Sequence, residues 1–207
     1  MGFSRFGRAI AIGLFLLSTG CGTVRQVTEA LVGIERLRFR LQGVSDFRLA
    51  GIPLAQKRRV ADFSVTEAAQ LLGLYRAGKL PAEFTVEVAV INPNDGVGGR
   101  RRLPVTLTQM KWRLSIDRVP TVSGVMAQPI EVPPGGESVI VPLQVQLDLM
   151  EFFRQTYEDV LQLALGIGGA QGGPSRLTLE VEPVLSTPIG TLRYPQPVTV
   201  VDKEFRP

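Results

Sequence analysis

The sequence predicts a mainly β protein, an antiparallel β-sandwich with two accessory α-helices. Two observations carry this prediction. Short segments of alternating apolar and polar residues recur along the chain, with Pro- and Gly-rich turns between them. Two other segments repeat their apolar residues every three or four positions, which is the spacing of an amphipathic helix. A chain of 207 residues is long enough to bury a stable core in one domain.

The first segment, residues 1–20, is predicted to be a signal peptide that takes no part in the fold. Arg5 and Arg8 give it a positively charged start, and the run from Ala9 to Leu17 is apolar. This run is too short to cross a bilayer as a helix, which needs about 20 apolar residues. The segment therefore predicts export of the chain.

The only cysteine of the chain follows a group of small residues. Cys21 comes after Ser18 to Gly20, an arrangement that resembles the lipobox of bacterial lipoproteins, with Ser18 where that class usually has leucine. The resemblance implies signal cleavage after Gly20 and acylation of Cys21, which would leave residues 21–34 as a lipidated tether or short helix. The residue after the cysteine is glycine and not aspartate, which by the enterobacterial sorting rule favours the outer membrane facing the periplasm. The alternative is an ordinary secretory or anchoring segment with a buried Cys21.

The rest of the chain, residues 35–207, is predicted to form the sandwich. Alternation of apolar and polar residues places one face of each strand in the core and the other in solvent. The predicted strands are residues 37–41, 44–54, 83–91, 103–116, 121–126, 130–132, 139–147, 176–184, 191–194 and 198–201.

Helical insertions are expected near residues 64–77 and 149–166. Ser64 and Glu67 have the spacing of a capping box, in which each side chain accepts a hydrogen bond from the other residue's backbone. Asp148 is a candidate cap for the second helix, which a Gly-rich segment ends.

Four further features follow one another in a fixed order in the middle of the chain. They are a strand ending in Asn92-Pro93-Asn94, a strand from Leu103-Pro104-Val105 to Trp112-Arg113-Leu114, the segment Val122-Ser123-Gly124, and the segment Ile130 to Glu137 with its Pro-Pro-Gly-Gly turn. From Glu83 to Leu147 this order resembles the LEA type 2 family of WHy-like domains. The resemblance implies an immunoglobulin-like or fibronectin-III-like sandwich and, by association, a role in stress or desiccation. The two helical insertions depart from the family pattern.

Composition excludes several classes of enzyme. The chain has no histidine and one cysteine, so it has no Ser-His-Asp triad, Cys-His dyad, His-ligated metal site or intramolecular disulfide. Glu180 and Glu182 lie two apart on one strand, but nothing else indicates a sugar-binding cleft. We expect no enzymatic activity, no cofactor and no metal. Without Arg5 and Arg8 of the predicted signal peptide, the net charge falls from +4 to +2, which argues against a nucleic-acid partner.

Two sets of arginines are candidates for contact with anionic lipid. Arg36, Arg38 and Arg40 alternate along a predicted strand, and Arg100, Arg101 and Arg102 follow a Gly-rich loop that lacks the P-loop pattern. The simpler interpretation is a solvated strand face and a solvated loop. An acyl anchor would hold these residues near a bilayer, where each basic side chain is worth about 1 kcal/mol.

The second predicted helix supplies a candidate apolar groove. Phe152, Phe153, Tyr157 and Leu161 follow its apolar stripe, and they fit either packing on a sheet or the lining of a ligand groove. The sequence thus predicts a membrane-anchored, non-catalytic lipoprotein of the cell envelope, a binding or structural module with an envelope protein as partner. The alternative is a carrier of lipid or another apolar ligand in a helix-covered groove of the sandwich.

Overall fold

The computed structural model describes residues 36–98, 101–170 and 177–200. The chain divides into two compact units, Met1–Ile34 and Glu35–Pro207. The first unit lies outside the described residues, so the structure does not bear on the signal peptide, on Gly20 and Cys21, or on residues 21–34. The buried core cluster lies between Leu37 and Val200. Every buried core residue that the structure describes belongs to the second unit, so this unit contains a hydrophobic core of its own.

Antiparallel strands in two sheets confirm the predicted β-sandwich. Within the described residues the strands are β1 (Arg38–Leu49), β2 (Ile52–Pro53), β3 (Pro81–Ile91), β4 (Val105–Ile116), β5 (Val119–Met126), β6 (Ile130–Val132), β7 (Ser138–Asp148), β8 (Leu177–Thr187), β9 (Gly190–Arg193) and β10 (Val198–Val200). The first sheet has the order β2-β1-β3-β7. The second has the order β10-β8-β4-β5, with β6 also paired to β4 and β9 to β8.

The core lies between the sheets because the strands alternate as the sequence predicts. In β3, every second residue from Ala82 to Val90 is buried. Phe84 stacks on Phe47 of β1, with ring centroids 4.9 Å apart. Burial of this apolar surface supplies about 25 cal/mol for each Å² removed from water, which makes it the main favourable contribution to folding.

The prediction of two separate strands at residues 37–41 and 44–54 is wrong, because the structure joins most of both into the single strand β1. This strand pairs with β3 along its length, with register shifts near Gly43 and near Asp46. The backbone of Asp46 has φ of 55°, a left-handed conformation that aspartate tolerates better than most residues. Each bulge changes which residues face the core, so one bent strand has the sequence pattern of two.

The first predicted helix is confirmed as α1 (Val65–Arg76), which a short 3-10 turn (Val60–Asp62) precedes. Its capping box is formed, because Ser64 Oγ accepts from the Glu67 N–H at 3.2 Å and Glu67 Oε2 accepts from the Ser64 N–H at 2.8 Å. The helix lies beside the end of β1, where Gln70 Nε2 donates to the Ala50 carbonyl at 3.1 Å.

The prediction of one continuous helix near residues 149–166 is also wrong, because this segment forms two helices. These are α2 (Leu149–Phe152) and α3 (Tyr157–Gly168). Asp148 caps the first, as predicted, by accepting from the Met150 N–H at 3.0 Å. Thr156 starts the second, where its Oγ1 accepts from the Asp159 N–H at 3.3 Å. The apolar spacing continues across the break because Phe153, between the two helices, is also buried in the core.

The last turn of α3 packs closely on β1. A Cβ placed on Gly168 would lie 2.2 Å from Phe47 Cβ and Cγ, so only glycine allows this approach. Helices α1 and α3 therefore cover the end of the sandwich at which β1 finishes.

Candidate functional site

Loops from both sheets meet at the opposite end of the sandwich, where β1 begins. Arg38 of β1 pairs with Ile91 at the end of β3. Val105 at the start of β4 pairs with Val132 at the end of β6. We call this the Asn92 end, and it comprises residues 36–38, 91–98, 101–105, 132–138 and 186–190.

Asn92 joins the two sheets at this end. Its Nδ2 donates to the carbonyl of Leu103 at 2.8 Å and to that of Val132 at 3.1 Å. Its Oδ1 accepts from the backbone N–H of Asn94 at 3.1 Å and from Asn94 Nδ2 at 2.8 Å. Both asparagine side chains are fully buried. Because these polar atoms pair with one another, the Asn-Pro-Asn segment serves as a structural latch.

A tight turn carries Val97 at the Asn92 end. Asp95 Oδ1 accepts from the Val97 N–H at 2.9 Å, which is the hydrogen bond of an Asx turn. Gly96 and Gly98 have φ of 88° and 63°, which favour glycine. The backbones of Asp95 and Arg102 also form an isolated antiparallel β-bridge across the base of the loop. The turn leaves the Val97 side chain 64% exposed.

A second turn, between β8 and β9, carries Ile189 at the same end. Thr187 Oγ1 donates to the Gly190 carbonyl at 2.8 Å and accepts from the Ile189 N–H at 3.3 Å. These bonds hold the turn in one conformation and leave Ile189 44% exposed. The Asn92 end thus presents two apolar side chains on separate turns.

The described arginines of both predicted sets are exposed, and four of them lie at the Asn92 end. These four are Arg36, Arg38, Arg101 and Arg102. Arg40 lies further along β1, opposite Ala89, and donates to Gln42 Oε1 at 3.2 Å. Arg100 lies outside the described residues. The structure therefore places at one end of the sandwich two basic segments that are more than sixty positions apart in the sequence.

Tyr194 fixes the first described residues to the second sheet. Its Oη accepts from the Leu37 N–H at 2.7 Å, and Arg36 Cζ lies 5.6 Å from the centre of its ring. Burial raises the pKa of the Tyr194 hydroxyl, although the Leu37 hydrogen bond and the Arg36 charge act against that rise. The start of the domain is therefore held at a defined place.

The residues predicted to line an apolar groove pack against the protein itself. Phe153 and Leu161 belong to the buried core, and Phe152 and Tyr157 are half-buried against it. Tyr157 Oη donates to the Ala68 carbonyl at 3.2 Å, and its ring meets Tyr75 edge to face with centroids 5.4 Å apart. Burial raises the pKa of Tyr157. These four side chains join the helices to the sandwich and line no open groove in the described residues.

A depression of about 370 Å³ lies on the outer face of the second sheet. Charged side chains of neighbouring strands form its walls, with Glu180 opposite Arg113 and Glu182 opposite Lys111. Arg113 Nη1 and Glu180 Oε2 are 2.8 Å apart. The two glutamates therefore stand opposite basic residues in cross-strand charge pairs.

No group of three or more metal-ligating side chains occurs among residues 36–98, 101–170 and 177–200. No helix in those ranges is long and apolar enough to span a membrane.

Two solved structures are similar to the chain. One is the crystal structure of a protein from Archaeoglobus fulgidus, with 10% identity, a TM-score of 0.31, and coverage of 82% of this chain and 98% of that one. The other is the solution structure of a protein from Arabidopsis thaliana, with 12% identity, a TM-score of 0.34, and coverage of 80% and 81%. No family model matches the chain, and no curated protein matches it significantly.

Val97 and Ile189 were not among the site residues predicted from the sequence. Both are lone apolar residues between turn formers, in Gly96-Val97-Gly98 and Pro188-Ile189-Gly190. An apolar residue at the tip of a turn has no core to join, and that local pattern is the signal by which they can be found.

Proposed function

We propose that the chain is a lipid-anchored, non-catalytic module of the cell envelope that binds other envelope components. The sequence around Cys21 supports the anchor, because an apolar run and small residues precede the only cysteine. One structural observation carries the proposal. The end of the domain nearest in sequence to Cys21 also carries Arg36, Arg38, Arg101 and Arg102, which are suited to an anionic surface.

The absence of catalytic machinery is part of this proposal. A chain without histidine would have to use carboxylates, lysine, serine or tyrosine as catalytic groups. The adjacent glutamates Glu180 and Glu182 are each paired across strands with a basic residue. A binding or structural role needs none of these groups. Gly22, in place of an aspartate after Cys21, supports the outer membrane, on its periplasmic side, as the expected location.

A carrier of lipid is the weaker proposal. It needs a cavity behind the helices, whereas Phe153 and Leu161 are only 4% and 1% exposed in the core. The resemblance to the LEA type 2 family suggests a further role, protection of other proteins during stress or desiccation. Recovery of a labile enzyme after drying, compared with an equal mass of an unrelated protein, tests that role.

The anchor is tested by the mass of the N-terminal peptide from membranes of cells that express the full chain. We expect acylated Cys21 as the first residue, and an uncleaved, unmodified N-terminus in Cys21→Ser. A Thr23→Ser variant is the matched control and should be processed normally. Because an uncleaved apolar segment also holds a chain on membranes, fractionation alone does not decide the result. An unmodified Cys21 in the wild-type chain overturns the proposed anchor.

The envelope partner is tested by crosslinking in intact cells. Crosslinkable residues at Val97 and at Val65, on α1 at the other end of the domain, compare the two ends directly. A binding module should yield at least one discrete crosslinked product in cells that is not formed when the purified chain is crosslinked by itself. Absence of any product from either position contradicts a stable protein partner.

A further inference from the structure

We propose that the Asn92 end docks directly on an anionic phospholipid bilayer, with Val97 and Ile189 inserted among the headgroups and the arginines against the phosphates. The inference rests on the proposed anchor to bring the domain to a membrane. The docking surface itself is a property of the folded domain.

The positions of the exposed apolar residues support insertion. The large apolar side chains that are most exposed in the described residues are Val65, Val97, Val125, Ile140 and Ile189. Val125 and Ile140 lie on strands, where a bilayer reaches them only by covering a sheet face. Val97 and Ile189 occupy turns at one end, so both enter an interface without any movement of the strands.

The charge around the two turns fits an anionic surface. Arg101 and Arg102 follow the Val97 turn, and Arg36 and Arg38 lie at the start of β1. The acidic residues nearby are Asp95, which bonds within its own loop, and the exposed Glu131 and Glu137. Arginine pairs with phosphate through two parallel hydrogen bonds, which suits it to lipid headgroups.

The docking surface is preorganised. The Asn92 latch fixes the base of the Val97 loop to β6, and Thr187 fixes the Ile189 turn. A turn whose backbone is already held in one conformation loses little conformational entropy when it binds. Two small apolar contacts therefore contribute more here than they would on loops without such bonds.

The reach of the chain makes docking a separate question from anchoring. From Cys21 to Arg36 an extended chain spans at most about 50 Å. This length permits contact with the bilayer but does not impose it. The anchor would supply a high local concentration, and the Asn92 end would supply the orientation.

The test uses the full acylated chain in vesicles, labelled with an environment-sensitive fluorophore at one introduced cysteine. Acylation blocks Cys21, so only Val97→Cys, Ile189→Cys or the control Val65→Cys reacts. Val65 is 88% exposed and lies on α1 at the other end of the domain. We expect blue-shifted, stronger emission at positions 97 and 189 on vesicles with about 30% phosphatidylglycerol, loss of the effect in high salt, and no change at position 65.

Charge variants give a second measurement, made on residues 22–207 without the anchor and with unlabelled protein. Arg101→Gln/Arg102→Gln should lower partition onto the same vesicles by roughly 10- to 30-fold, from about 1 kcal/mol for each arginine. Arg76→Gln/Arg154→Gln, which removes two exposed arginines from the helical part of the domain, should leave partition unchanged. Circular dichroism confirms that each variant is folded.

The outcomes separate the two proposals. Equal emission from positions 97 and 65 on anionic vesicles, or equal loss of partition in both double variants, overturns docking. If the N-terminal peptide shows that Cys21 is not acylated, the proposed anchor fails instead. Partition of residues 22–207 onto anionic vesicles still decides docking in that case.

Discussion

The indole of Trp112 lies directly over Gly124 of the neighbouring strand. The two residues pair across β4 and β5, and a Cβ at position 124 would come within 2.5 Å of Trp112 Cζ2. Trp112 is the only tryptophan of the chain and is buried. This contact makes Gly124 a packing residue of the second sheet. The fluorescence of Trp112 is therefore sensitive to changes at position 124.

Gly124→Ala should destabilise the domain by about 1–3 kcal/mol, because the added methyl group displaces a close-packed ring. Denaturant unfolding followed by Trp112 fluorescence measures the loss. Gly43→Ala on β1 is the matched control, since a Cβ there meets nothing within 4 Å. Equal stability of the two variants would contradict the packing role of Gly124.

Asn92→Ala should cost about 2–4 kcal/mol, because it leaves the carbonyls of Leu103 and Val132 and the amide of Asn94 without their partner. Thermal unfolding measures the change against Gln146→Ala, a variant of an exposed strand residue. A loss no larger than that of the control would show that water replaces the latch at little cost.

Local alternation is enough to predict most strands. Residues 83–91 place a buried residue at every second position, and β3 forms there as Pro81–Ile91. Ser64 and Glu67 likewise predict the start of α1, because capping needs only residues that are close in the sequence. Both features depend on interactions within a few positions of the chain.

The bulges in β1 and the grouping of loops at the Asn92 end cannot be predicted from local sequence patterns. At the register shift near Asp46, the side chains that face the core change from one set of alternate positions to the other. The shift depends on pairing with β3, whose residues lie about forty positions away in the sequence. The placement of Arg36 and Arg38 at the same end of the sandwich as Arg101 and Arg102 also depends on long-range strand pairing. Periodicity identifies each segment but does not specify which segment lies beside it.

The break between α2 and α3 had a local signal in Thr156 and Asp159, which have the spacing of a helix start. Thr156→Ala should lower stability by about 1 kcal/mol through loss of the cap on α3. Thr191→Ala, at an exposed position of β9, serves as the control. If both variants unfold at the same denaturant concentration, the cap contributes nothing measurable.

Glu67 makes the stability of the helical part depend on pH. The hydrogen bond from Lys57 Nζ at 2.9 Å, with a further bond from the Ser64 N–H, lowers the pKa of this carboxyl below its usual 4.5. The folded pKa lies below the unfolded one, so the stabilisation is present above the unfolded pKa and is lost as pH falls through the folded value.

Glu67→Gln should therefore reduce the decline in melting temperature between about pH 7 and pH 3. Glutamine keeps an acceptor for the Ser64 N–H but loses the charge that pairs with Lys57. Glu158→Gln, also in the first turn of a helix, is the control. An unchanged acid profile in Glu67→Gln would show that the Lys57 pair does not contribute.

Tyr194 predicts the opposite pH dependence at the Asn92 end. Burial raises the pKa of its hydroxyl above 10.0, so the folded state favours the neutral form. This contribution is complete below the unfolded pKa and is lost as pH rises through the folded one. Tyr194→Phe should also leave the Leu37 N–H without its acceptor at 2.7 Å. We expect faster hydrogen exchange at Leu37, with exchange in α1 unchanged. Wild-type exchange at Leu37 in Tyr194→Phe would mean that the hydroxyl does not hold the start of the domain in place.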